Sequence, residues 1–173
     1  MEYINDLIKL VVPAALVLYA MYLVIRSFLQ KDFDKRLIET KMKNVETVLP
    51  IRLQAYERMA LFLERISPNN MLLRMADPGL SALVFQQQLL QEIRDEFHHN
   101  HSQQIYMSDE AWNRIRAAMN TIIGLIQEAS EEMKEDSNAV DLSSAIFNKM
   151  MVQPTDHIGD ALSFIKNEIR QSF

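Results

Sequence analysis

A chain of 173 residues with three glycines and five prolines has too few breakers for hairpin-built folds or phosphate loops. The absence of cysteine excludes disulfide scaffolds, thiol nucleophiles and Cys-ligated zinc. The net charge of −5 hides an asymmetry: residues 1–25 are net −1, residues 26–66 carry nine Lys/Arg against six Asp/Glu, and residues 67–173 carry eight against fifteen. An acidic body of that size would repel phosphate, so nucleic acid is not an expected partner. A basic stretch between an apolar segment and an acidic body reads as a membrane surface followed by a solvated domain.

The first predicted element is a transmembrane anchor. Leu10 to Ile25, LVVPAALVLYAMYLVI, is sixteen residues without a charge. Lys9 and Arg26 can snorkel, so a helix over 7–29 reaches about 34 Å, enough for the roughly 30 Å of hydrocarbon in a bilayer. Leu10, Val17 and Ile25 mark its two ends and its middle, and Pro13 lies near one end, where a lost hydrogen bond matters least. A cleavable signal peptide would need a basic n-region and small residues at a cleavage site, but the start holds Glu2 and Asp6 and the run ends Tyr22-Leu23-Val24-Ile25-Arg26. A buried core helix is disfavoured because the run is apolar on every face. One cation, Lys9, precedes the span, whereas Arg26, Lys31, Lys35, Arg36, Lys41 and Lys43 follow it. The positive-inside rule then puts the N-terminus outside and the C-terminal part in the cytoplasm.

Residues 30–49 read as a charged juxtamembrane helix. Asp32 precedes Lys35 and Arg36, and Glu39 precedes Lys43, in the favourable acid-before-base order; Phe33, Leu37, Val45 and Val48 form a thin apolar stripe. Such a helix is a stalk or coiled-coil arm, and its five cations together with Arg26 could alternatively form an anionic-lipid patch. Pro50 is expected to break or start a helix. Residues 51–66 then carry Leu53, Tyr56, Ala60 and Leu63 on one face, with Met59, Phe62 and Ile66 beside it, and Ser67-Pro68-Asn69-Asn70 reads as a turn.

A short apolar piece, Met71–Met75, runs to a break at Asp77-Pro78-Gly79. Ser81 can cap the next helix, which carries Phe85, Leu89, Ile93 and Phe97 and fades at His98-His99-Asn100-His101. Ser108 with Asp109 and Glu110 is a second N-terminal signature. Trp112, Ile115, Met119, Ile122, Ile126, Ala129 and Met133 then form a near-heptad seam. The acids of 131–136 close it, where the macrodipole favours cations. Asn138–Met151 is a shorter helix with Leu142, Ala145, Ile146 and Met150 inward. Thr155 is expected to cap a last helix striped by Ile158, Leu162, Ile165 and Ile169. The fold class expected is all-α: anchor over 1–29, juxtamembrane helix over 30–49, soluble helical bundle over 50–173.

The block PIRLQAYERMALFLERISPNNMLLRM, the N-terminal anchor and the later MSDEAW resemble an uncharacterised family of small single-span membrane proteins of Bacteroidota. The resemblance runs over most of the chain and implies this architecture, with no activity, cofactor or site residues attached. A coarser likeness to the stalk subunits of rotary ATPases covers the anchor and charged helix alone and weakens after Pro50.

Chemical motifs are scarce. Glu96, His98, His99 and His101 hold one E-x-x-H, but a di-iron bundle needs a second copy and two further glutamates, so these four are weak metal candidates and no cofactor is expected. There is no G-x-S-x-G, P-loop or G-x-G-x-x-G, so no small-molecule substrate is evident. Arg52, Tyr56, Arg58 and Arg65 form a candidate partner surface, since Arg and Tyr dominate many interfaces; the alternative is that the arginines pair with the acidic 67–173 region. The function expected is a membrane-anchored interaction or scaffold protein with a protein partner or a second copy of itself. The alternatives are a membrane-tethered enzyme or metal binder at the histidines, and an oligomerising stalk.

Overall fold

The computed structural model describes the backbone of residues 2–152 and 155–171; within the first helix the side chains of 2, 4–14, 40, 41, 44 and 45 lie outside the description. Among the described residues six α-helices follow in order: α1 Glu2–Ile66, α2 Pro68–Met75, α3 Ala82–Asn100, α4 Asp109–Glu131, α5 Ala139–Val152 and α6 His157–Arg170, with a 3-10 segment His101–Tyr106 between α3 and α4. The described residues hold no strand, only an isolated antiparallel bridge between Ser81 and Asn138. The chain divides into two compact units, Met1–Val48 and Leu49–Phe173.

In the first unit every described side chain from 15 to 30 is exposed. Val17 and Ile25 are among them; Leu10, with residues 7–14 of the expected span, lies outside the described side chains. Among the described residues no helix is long and apolar enough to cross a membrane. Of the acid-before-base pairs expected, Asp32 meets Arg36 at 2.9 Å, whereas Glu39 pairs with Lys35, which precedes it, at 3.8 Å.

Pro50 falls inside α1, contrary to the expected break. A proline removes one N–H and crowds the carbonyl four residues back, a cost of about 3 kcal/mol. The stripe that follows offsets it: Met59, Phe62, Leu63 and Ile66 are buried in the core, each contributing about 1.5–3 kcal/mol. The buried face is centred on these with Ala55 and Tyr56, and Leu53, expected inside, is exposed.

The second unit is a helical bundle. α4 packs against α3, α5 and α6, α3 also meets α5, and α2 meets α5. The α4 seam is buried at Trp112, Ile115, Ile122, Ile126 and Ala129, with Met119 and Met133 half-buried. Phe85, Leu89 and Ile93 of α3, Leu142 and Ile146 of α5, and Ile158 and Ile165 of α6 complete the core. The ends are capped as side-chain chemistry dictates. Ser81 Oγ accepts from Val84 N–H and Ser108 Oγ from Ala111 N–H. Asn138 Oδ1 accepts from Val140 and Asp141, whose carboxylate takes the Asn138 N–H in return.

Two boundaries differ from expectation. Pro68 opens α2 directly after Ser67, because a proline at the first helical position lacks only an N–H that would go unused there. The cap of α6 is Asp156, not Thr155: its carboxylate accepts from Gly159 N–H at 2.9 Å, and a carboxylate is a stronger acceptor than a hydroxyl at a helix N-terminus. The acids after α4 find a cation across the bundle, Lys149 Nζ to Glu132 at 2.7 Å, which raises the Lys149 pKa.

Candidate functional site

Three features of the bundle bear on function. The first is a polar clasp. Tyr56 Oη donates to Glu168 Oε1 at 2.6 Å, and Ser108 Oγ donates to Glu168 Oε2 at 2.8 Å. One carboxylate of α6 thereby joins α1 to the cap of α4. Burial, then the hydrogen bond to Glu168, push the Tyr56 phenol pKa up. Arg52 Nε donates to the Tyr106 carbonyl at 3.2 Å, and its guanidinium lies 5.9 Å from the Tyr56 ring centroid.

The second is an ion network across α1, α2 and α3. Arg65 meets Glu92 and Glu96, both at 3.2 Å, and Arg74 meets Glu92 at 2.9 Å. Of the four residues expected to form a partner surface, Tyr56 is therefore buried, while Arg52 and Arg65 are tied to the bundle. Arg58 is exposed and carries no ion pair or side-chain hydrogen bond among the described residues. The arrangement of Arg65 matches the alternative in which arginines hold the acidic region.

The histidine cluster is not gathered into a metal site: no group of three His, Asp or Glu side chains converges among the described residues. Glu96 is engaged by Arg65 and Asn100. His101 stands edge-on to Phe97 and Trp112, at 5.4 and 5.5 Å between centroids, beside the stacked Phe97–Trp112 pair. His98 and His99 are exposed.

The third feature is a cavity of about 420 Å³ where the α1–α2 turn meets α4 and the start of α6. Ile122, Leu125, Ile158 and Leu162 give it an apolar floor; Glu64, Asn70, Thr121 and His157 line it with polar atoms. Such a lining can hold an apolar side chain or a small amphipathic group by its body and orient it at the rim. Neither the cavity nor Glu168 was marked by the sequence. Both arise from residues on different helices, far apart in the chain, and no local periodicity reports such a meeting.

One family's sequence model matches residues 2–172, nearly the whole length. The chain belongs to DUF7935, a family of unknown function. No curated protein and no solved structure matches it. Membership of DUF7935 spans the helix of the first unit and the whole bundle, so the two are found together as a family trait.

Proposed function

We propose that this protein is a membrane-anchored helical scaffold, held in a bacterial inner membrane by residues 7–29, with the bundle on the cytoplasmic side as its interaction domain. The observation that carries the reading is Leu16–Ile25. Ten consecutive side chains are exposed, and the large ones range from 45 to 68%. Leaving Leu16, Val17, Leu18, Met21, Leu23, Val24 and Ile25 in water forfeits on the order of 10 kcal/mol, comparable with the whole stability of a domain. One protein partner would cover one face of this helix; lipid covers all of them. The single cation before the run and six after it support the orientation, and the resemblance to single-span proteins of Bacteroidota points the same way. Of the four residues of the expected partner surface, Arg58 stays exposed, one turn from exposed Leu61.

The test is a pair of C-terminal fusions in living bacteria. A fluorescent protein that folds in the cytoplasm should be bright in the membrane fraction, and a phosphatase that requires export should be inactive. An active phosphatase fusion with a dark fluorescent one would overturn the orientation. Full recovery of the bright fusion in the soluble fraction would overturn the anchor.

A further inference from the structure

We infer that the anchor helix pairs with a second copy of this chain, in parallel, along the face that carries Ala15, Tyr19, Tyr22, Leu29, Phe33 and Leu37. The inference rests on the membrane reading above and names the partner of that same segment. At 100° per residue these six positions fall within a sector of roughly 80° on one straight helix. Tyr19 lies one residue from residue 18, the midpoint of 7–29, about 1.5 Å along the axis, and the nearest interface is roughly 15 Å away. A tyrosine there cannot bring its hydroxyl to water, and helical side chains lean toward the N-terminus, which carries Tyr22 inward also. Neither hydroxyl has a hydrogen-bond partner among the described residues. In hydrocarbon an unpaired hydroxyl is costly, so both require a partner from outside this helix.

The same face continues past the expected span, where lipid no longer covers it. There Phe33 and Leu37 are 71 and 60% exposed, and Leu29, the last residue of the span, is 50% exposed. A single occupant that satisfies both halves must accept hydroxyls inside the bilayer and offer apolar side chains outside it. A second copy does both. A phenolic hydroxyl is donor and acceptor at once, so it is complementary to its own symmetry mate. The charges also permit it: Lys31, Asp34 and Lys35 project away from the seam, and Asp32 and Arg36, which flank it, neutralise each other at 2.9 Å. Arg26 is the one charged residue on the seam, and about 12 Å from the midpoint it reaches the headgroups. A strip about 34 Å long and on the order of 10 Å wide falls below the roughly 800 Å² per partner of a standard interface, so the pair is reversible and depends on confinement to the membrane.

The absence of cysteine makes the test clean. Single substitutions Leu29→Cys and Phe33→Cys on the seam, and Lys31→Cys and Lys35→Cys on the opposite face, are made in the full chain and oxidised in native membranes. Disulfide-linked dimers are expected for the first two and not for the second two. Adding Tyr19→Phe and Tyr22→Phe to Leu29→Cys should weaken association roughly eightfold. Alkaline carbonate washing of the same membranes separates the two readings. Chain released by the wash overturns the anchor and the pairing with it. Chain retained, with cross-links absent or equal at all four positions, overturns the pairing alone, and an unchanged yield in the Tyr variant removes the hydroxyl pairing.

Discussion

Removing the Glu168 carboxylate is the sharpest perturbation of the bundle. Its two oxygens accept from Tyr56 at 2.6 Å and Ser108 at 2.8 Å, so Glu168→Ala deletes two hydrogen bonds to a charged acceptor. Bonds of that kind contribute about 1.5–3 kcal/mol each, and Glu168 is only half-buried, so the lower end applies. The expected loss is about 3 kcal/mol, because the Tyr56 hydroxyl, on a buried residue, is left without an acceptor. For a unit of this size that lowers Tm by about 10–15 °C. Tyr56→Phe removes one of the two donors and keeps the ring packed, at a cost of about 1–1.5 kcal/mol. Thermal denaturation of wild type, both single variants and the double variant gives a cycle whose coupling energy should be about 1 kcal/mol. A shift under 2 °C for Glu168→Ala, or independent effects in the cycle, would show that the clasp contributes nothing.

Four further outcomes follow from the geometry. Ile122→Asp should unfold the bundle by burying an unpaired carboxylate at a site 5% exposed, whereas Glu131→Gln, on the exposed end of α4, should leave the melt unchanged; equal melts would disprove the assigned face. Gly124→Ala should stabilise by about 0.5–1 kcal/mol, since nothing lies within 4 Å of the new Cβ in the middle of α4. Gly159→Ala should destabilise by about 1 kcal/mol because the new Cβ collides with the Asp156 carboxylate that caps α6; chemical denaturation orders the two. Tyr56 and Lys149 both bind their protons more tightly folded than unfolded, so their contribution is intact below about pH 10 and is lost as pH rises through the raised values; in a pH titration of Tm, Tyr56→Phe should decline less steeply than wild type above pH 10.

Helix positions and caps were largely legible, because periodicity and capping are local. Ser81 and Ser108 cap as their side chains predict, and the α4 seam from Trp112 to Ala129 is buried where its spacing puts it. What failed to be legible was what lies opposite each stripe. Tyr56 and Arg65 carry the residue types of an interface, and the same types suit a buried phenol bonded to Glu168 and a guanidinium held by two glutamates. His101 reads as a candidate ligand beside His98 and His99, yet its ring stands edge-on to Phe97 and Trp112. Prolines 50 and 68 misled in a similar way, since whether a proline breaks, opens or is carried by a helix depends on what is packed on either side of it.

On the proposed reading, residues 7–29 cross a membrane and leave the bundle in the cytoplasm. Single cysteines at Tyr3 and Gln91, both exposed, in a chain with none of its own, can be probed in intact cells with a membrane-impermeant maleimide. Tyr3→Cys should react in intact cells, and Gln91→Cys should react only after lysis. Labelling of Gln91→Cys in intact cells, or protection of both positions until lysis, would contradict the account.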